Sequence, residues 1–238
     1  MKKYMTFCAV ALLAGPAAHG ALTQLLPVDV RAHHRGEPSG NGNIIRVGDG
    51  VGLTKPDADD PSTWTHASDW QSMWHGNLTE VSGAEGWVVF DLGEAYQLGT
   101  MYIWNGNQGG VFNGSPHTNK GINEYDLYYA TSLTVPLPAN SATVTGYDFN
   151  SGGWTQFGTT QTLTAGTGAA GSPVNGTVDL AGVTARYVAM DIQSRIGSHD
   201  QLQVGLSEVV FTQIPEPGTA GLMGLFGLAA LVRRRVRR

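Results

Sequence analysis

The sequence predicts an all-β fold, a β-sandwich or jelly roll. Three observations carry that prediction. Charged residues make up only 14% of the chain while glycine reaches 33 of 238 residues, a balance of loop-rich β domains rather than helical ones. Short runs rich in Val, Ile, Tyr, Phe and Trp recur, separated by Gly, Asn, Ser and Thr clusters. Between those runs no stretch repeats its apolar residues at helical spacing.

Taken in order, the runs read as strands for local reasons. GWVVFDLG, from Gly86, is β-branched and aromatic and stops at Gly93. LGTMYIW, from Leu98, is a second such run. INEYDLYYAT, from Ile122, interleaves Tyr and Leu with acids, as a half-buried strand does. ARYVAMDIQS, from Ala185, and VGLSEVVFTQ, from Val204, close the pattern. The low-complexity stretch from Ser151 to Gly176 reads as loop with one or two edge strands.

Charge sharpens the picture. Seven of the 14 basic residues lie in two end segments: Lys2 and Lys3, and Arg233, Arg234, Arg235, Arg237 and Arg238. From Ala21 to Ile214, seven basic residues face 18 acidic ones, a net charge of −11. So acidic a body excludes nucleic acid as partner, because phosphate neutralisation needs positive surface. It suits a bound cation. The single cysteine, Cys8, falls in the N-terminal segment, so no disulfide or thiolate chemistry is expected of the body.

The N-terminal residues 1–20 have the parts of a secretory signal peptide: Lys2-Lys3, an apolar run from Met5 to Leu13, and small residues before a cleavage point after Gly20. The C-terminal residues 214–238 combine Pro215-Glu216-Pro217, an apolar helix at about 218–232 and an arginine cluster at 233–238. At 1.5 Å per residue the apolar run spans roughly 22 Å, short of the ~30 Å hydrocarbon core. It reads as a short membrane segment with its arginines on the cytoplasmic side. This order is similar to the PEP-CTERM sorting signal. That resemblance implies processing by a membrane exosortase in an exopolysaccharide-producing bacterium, with transient or lasting membrane anchoring.

A second resemblance spans residues 28–212. Gly48-Asp49-Gly50, Met73-Trp74, GWVVFDLG, YIWNGN, GINEYDLYYATS, ARYVAMDI and GLSEVVF follow one another in the order seen in discoidin domains (coagulation-factor type C). These belong to the galactose-binding-like jelly rolls. The family's terminal cysteine pair is missing, and residues 53–72 look like an insertion. The resemblance implies a structural calcium held by Asp49 and Glu208. Hard oxygen ligands on a glycine turn fit that ion; the alternative is that Asp49 caps a turn and Glu208 is solvated. The acidic run Asp57 to Asp60 is a second, weaker cation candidate. The resemblance also implies a carbohydrate site in the loops at one sandwich end. Trp74, His75, Asn107, His117, Lys120 and Arg195 are its candidates, with Trp74 open to a core role and Trp104 expected in the core.

Catalysis finds no support in the motifs. No HExxH, GxSxG or paired-carboxylate signature stands out. The expected protein is therefore an exported, non-enzymatic, carbohydrate-binding protein of the cell envelope, surface or extracellular matrix, whose partners are exosortase and an extracellular polysaccharide or glycan. The alternatives are a purely structural matrix protein or, less favoured, a glycosidase.

Overall fold

The computed structural model describes residues 23–37, 42–77, 86–199 and 202–214. The predicted signal peptide, the Pro215-Glu216-Pro217 motif, the apolar helix and the arginine cluster lie outside the described residues. Among the described residues thirteen strands follow in chain order: β1 (Thr23–Leu25), β2 (Asp29–Ala32), β3 (Leu53–Thr54), β4 (Thr65–His66) and β5 (Trp74–Asn77). Then come β6 (Trp87–Asn105), β7 (Val111–Phe112), β8 (Ser115–Pro116) and β9 (Ile122–Ala130). The last are β10 (Thr155–Thr162), β11 (Gly176–Asp179), β12 (Thr184–Arg195) and β13 (Gln203–Gln213). Helical structure among the described residues is confined to 3-10 turns such as Ile44–Val47 and His117–Lys120. None of it is long and apolar enough to cross a membrane.

Two antiparallel sheets share one strand. The first half of β6 pairs with β2 on one side and β12 on the other, and β12 continues to β9 and β10. The second half of β6 pairs with β11 and β13, while β13 also holds β1 and β5. The two expected runs at Gly86 and Leu98 are thus one 19-residue strand. It bends where Gly93 takes a positive φ of 89°, a conformation costly for residues with a Cβ. The predicted all-β jelly-roll sandwich is the observed architecture, and the edge strand expected within 151–176 is β10.

Period-two alternation sorts the side chains. Val88, Phe90 and Leu92 point between the sheets, where they meet Met190, Val209 and Phe211 in the main core. Phe90 and Phe211 touch edge to face across the sandwich, centroids 5.5 Å apart, the geometry aromatic quadrupoles favour. Trp87 and Val89 point the opposite way and are equally buried, under Phe149, Tyr147 and Trp154. The other sheet is covered likewise: Trp104 and Val210 face outward beneath Trp64 and Leu53, with Trp64 and Trp104 stacked at 6.3 Å. The apparent insertion at residues 53–72 therefore supplies the cover for an apolar outer face, and Trp104 is buried in this outer layer.

Candidate functional site

The loop leaving β6 carries the candidate site. Its root is Asn105, fully buried in the YIWNGN stretch. The Asn105 Nδ2 group donates to the carbonyls of Ile122 (2.7 Å) and Thr164 (2.9 Å). Its Oδ1 accepts from the backbone N–H groups of Gly106 and Ile122, both at 2.8 Å. One amide thus ties together the start of the loop, its return into β9 and the strand end at Thr164.

The loop then makes the β7–β8 hairpin, closed by Asn113-Gly114, both with positive φ (48° and 84°). This pair is the preferred chemistry for a two-residue hairpin turn. The hairpin presents Phe112, 39% exposed. The Phe112 ring lies over His199 (centroids 6.0 Å, 24° between planes) and His117 (6.5 Å, 28°). His117 Nδ1 and His199 Nε2 are hydrogen-bonded at 3.1 Å. One turn on, Lys120 is only 3% exposed and donates through Nζ to Gln108 Oε1 at 3.1 Å.

His75 completes the group from the neighbouring sheet edge. It pairs with Gly205 on β13, and a Cβ on Gly205 would sit 3.6 Å from His75 Nδ1 and 3.7 Å from Lys120 Cβ. His75 and Lys120 thus flank the same point over Gly205. A Cβ on Gly42 would likewise meet His75 Cδ2 at 3.4 Å and the Trp70 ring at 3.6 Å. Trp70 is 42% exposed, so a second accessible aromatic stands beside His75. Burial pushes His75 down to about 3, helped by the charge of Lys120 and by His117. Burial alone pulls Lys120 down to about 8, and His117 is lowered by burial and then by Lys120.

A second candidate lies beneath the 48–55 loop. A bulge between Leu206 and Glu208 turns Glu208 to the outer face, fully buried. Glu208 Oε2 accepts the Gly50 N–H at 2.9 Å, whereas Oε1 has no hydrogen-bond partner. Burial first, and Asp49 second, push the Glu208 carboxyl well above the usual range. Asp49 Oδ2 pairs with Arg46 at 2.8 Å and its Oδ1 accepts the Val51 N–H. Among the described residues no three His, Cys, Asp or Glu side chains gather into a metal cluster. The orphaned buried oxygen nevertheless fits a cation or a proton. The acidic run nearby does other work: Asp60 caps the Pro61–Thr63 turn through Ser62, and Asp57 accepts from Asp59.

Not every predicted ligand residue faces this group. Trp74 is fully buried, in the core between the sheets, and donates Nε1–H to the His34 carbonyl at 2.9 Å; its place is the core alternative. Asn107 is also fully buried: its amide donates to Ala67 and Ala169 carbonyls and accepts from Gly168 N–H. It pins loops together and offers no free atom to a ligand. Arg195, half-buried, donates to the Gln203 carbonyl at 3.3 Å, bridging β12 to β13. The structure brings His75, His117 and Lys120 together and adds Trp70, Gln108, Phe112 and His199. The Asn113-Gly114 turn flanked by Val-Phe and Ser-Pro was the signal that places Phe112.

Residues 213–238 match the PEP-CTERM protein-sorting motif, so the chain carries that motif at its C-terminal end. No curated protein matches the chain. Among solved structures, the chain is similar to the CBM32-3 module of a family 31 glycoside hydrolase from Clostridium perfringens. Identity is 14% over 77% of this chain and 90% of that one, with a TM-score of 0.43. It is similar also to the family 32 carbohydrate-binding module of C. perfringens NanJ in complex with galactose (13%, 80% and 100%, TM-score 0.42). The lectin domain of lectinolysin, complexed with Lewis B antigen, gives 17%, 78% and 92%, with a TM-score of 0.42.

Proposed function

We propose that the protein is an exported, non-enzymatic glycan-binding sandwich, sorted through its C-terminal segment by exosortase and working at the cell envelope or in the surrounding polysaccharide. The observation that carries this reading is the exposed Phe112 ring beside the His117–His199 pair, with Lys120 and Gln108 behind it. An aromatic face packs on the apolar face of a sugar, and convergent imidazole, amide and ammonium groups fix its hydroxyls. A glycan array probed with the intact chain tests it. Phe112→Ala should weaken the best ligand about 30-fold, the scale of losing a central aromatic anchor. Wild-type signals no higher than background across the array would refute the reading.

We propose further that Glu208, Asp49 and carbonyls of the 48–55 loop hold a structural calcium. The supporting observation is the orphaned, buried Glu208 Oε1. Calcium would neutralise the carboxylate and add folding energy. At a hundredfold excess over Kd the ion adds about 2.7 kcal/mol, or roughly 5–10 °C in Tm for a domain of this size. Glu208→Gln should erase that response. Without calcium the folded state keeps a proton that the unfolded state has released, so stability should fall as pH rises above the ordinary glutamate range toward the raised value of Glu208. A wild-type Tm indifferent to both calcium and EDTA would remove the ion from this account.

A further inference from the structure

We infer that the glycan recognised at this site is acidic, and that its carboxylate or sulfate seats against Lys120, His75 and His117. The inference rests on the glycan-binding reading and narrows its ligand class.

The charge pattern carries it. Between Ala21 and Ile214 acidic residues outnumber basic ones 18 to seven. The ion pairs Arg31–Asp29, Arg46–Asp49 and Arg186–Asp91 lie elsewhere. Among the described residues none of this surplus is hydrogen-bonded to Lys120: its Nζ donates to the neutral amide of Gln108. Around it stand the imidazoles of His75 and His117, and His117 is bonded to His199. Among the described residues no carboxylate belongs to this group. A buried ammonium with only a neutral partner is a costly arrangement. An anion entering the site would cancel that cost.

The polar geometry agrees. His75 is 7% exposed, and beyond a loose contact with the Trp70 backbone its ring nitrogens have no hydrogen-bond partner among the described residues. A neutral imidazole still has one N–H to donate, and an anionic oxygen is its strongest acceptor. A point over Gly205 lies within 3.7 Å of both His75 Nδ1 and Lys120 Cβ, so the two side chains leave the backbone side by side. Phe112 and Trp70 remain accessible for the sugar rings.

The test is affinity electrophoresis of the intact chain in non-ionic detergent, through gels containing polygalacturonate, dextran sulfate, dextran or neutral galactan. Retardation by either acidic polymer, at least tenfold stronger than by the neutral ones, is expected. The preference between polygalacturonate and dextran sulfate then distinguishes carboxylate from sulfate. Lys120→Met should abolish the acidic preference. Gln108→Glu, which supplies Lys120 with an internal carboxylate, should do the same with the lysine still present. Equal retardation by neutral and acidic polymers, unaltered in both variants, overturns this inference and leaves the glycan-binding reading standing. No retardation by any polymer, in a chain whose thermal transition shows it folded, overturns both.

Discussion

Replacing Asn105 with alanine should cost about 4 kcal/mol of stability, the largest loss expected from any single polar residue here. The side chain satisfies four backbone groups at once, on Gly106, Ile122 and Thr164. Truncation leaves those groups buried and unpaired, at about 1–3 kcal/mol each when water cannot reach them. Local relaxation keeps the total below the simple sum. For a domain of this size the loss lowers Tm by about 10 °C. Urea unfolding checks it: the midpoint should drop with the slope unchanged. The same amide roots the loop that bears Phe112, His117 and Lys120. Glycan affinity should therefore fall even at temperatures where the variant is folded. A variant within 1 kcal/mol of the parent would show that water fills the gap and that the amide is replaceable.

Lys120→Met should act in the opposite direction on stability. The methionine keeps most of the apolar stem and removes a charge held in a buried place. Burial has pulled the lysine from 10.5 down to about 8, so between those values the unfolded chain binds the extra proton. Wild-type stability therefore climbs as pH rises from about 8 to 10.5, and below 8 the full penalty is felt. At pH 7 the variant should be more stable by about 1–3 kcal/mol. It should also lack the alkaline climb and, in the same molecule, lose binding to acidic polysaccharide. A gain in stability bought with a loss of binding marks a residue kept for function. A stability unchanged or lowered at pH 7 would mean the ammonium is better solvated than its burial indicates.

Much of this fold was legible because strand chemistry is local. The runs beginning at Gly86, Leu98, Ile122, Ala185 and Val204 each became strand, since β-branched and aromatic residues announce themselves within a few positions. What the runs could not reveal was that β6 is continuous through Gly93, because pairing partners decide where a strand bends. Nor could they show that Trp87 and Val89 are covered. That cover comes from Tyr147, Phe149 and Trp154, residues with no strand pattern of their own. The site was legible only in part for the same reason. His117 and His199 are 82 positions apart, and only the sheet topology joins their loops. Trp74 and Asn107 misled because an aromatic or an amide at a strand end serves an interior as readily as a ligand. Lys120 was recognisable as a loop residue, yet nothing local foretold its burial.

The sharing of β6 between both sheets has a mechanical side. The sorting motif follows β13 almost at once, so a load applied through the C-terminal segment enters the domain at Gln213. There β13 lies flanked, with β1 on one edge and the second half of β6 on the other. A pull along β13 strains its hydrogen bonds sideways and together, because antiparallel ladders run perpendicular to the strand. Since β6 runs on into the other sheet, the strain passes to β12 and β2 instead of stopping at one layer. Any pull on the residues after Gln213 is thereby shared between the two sheets.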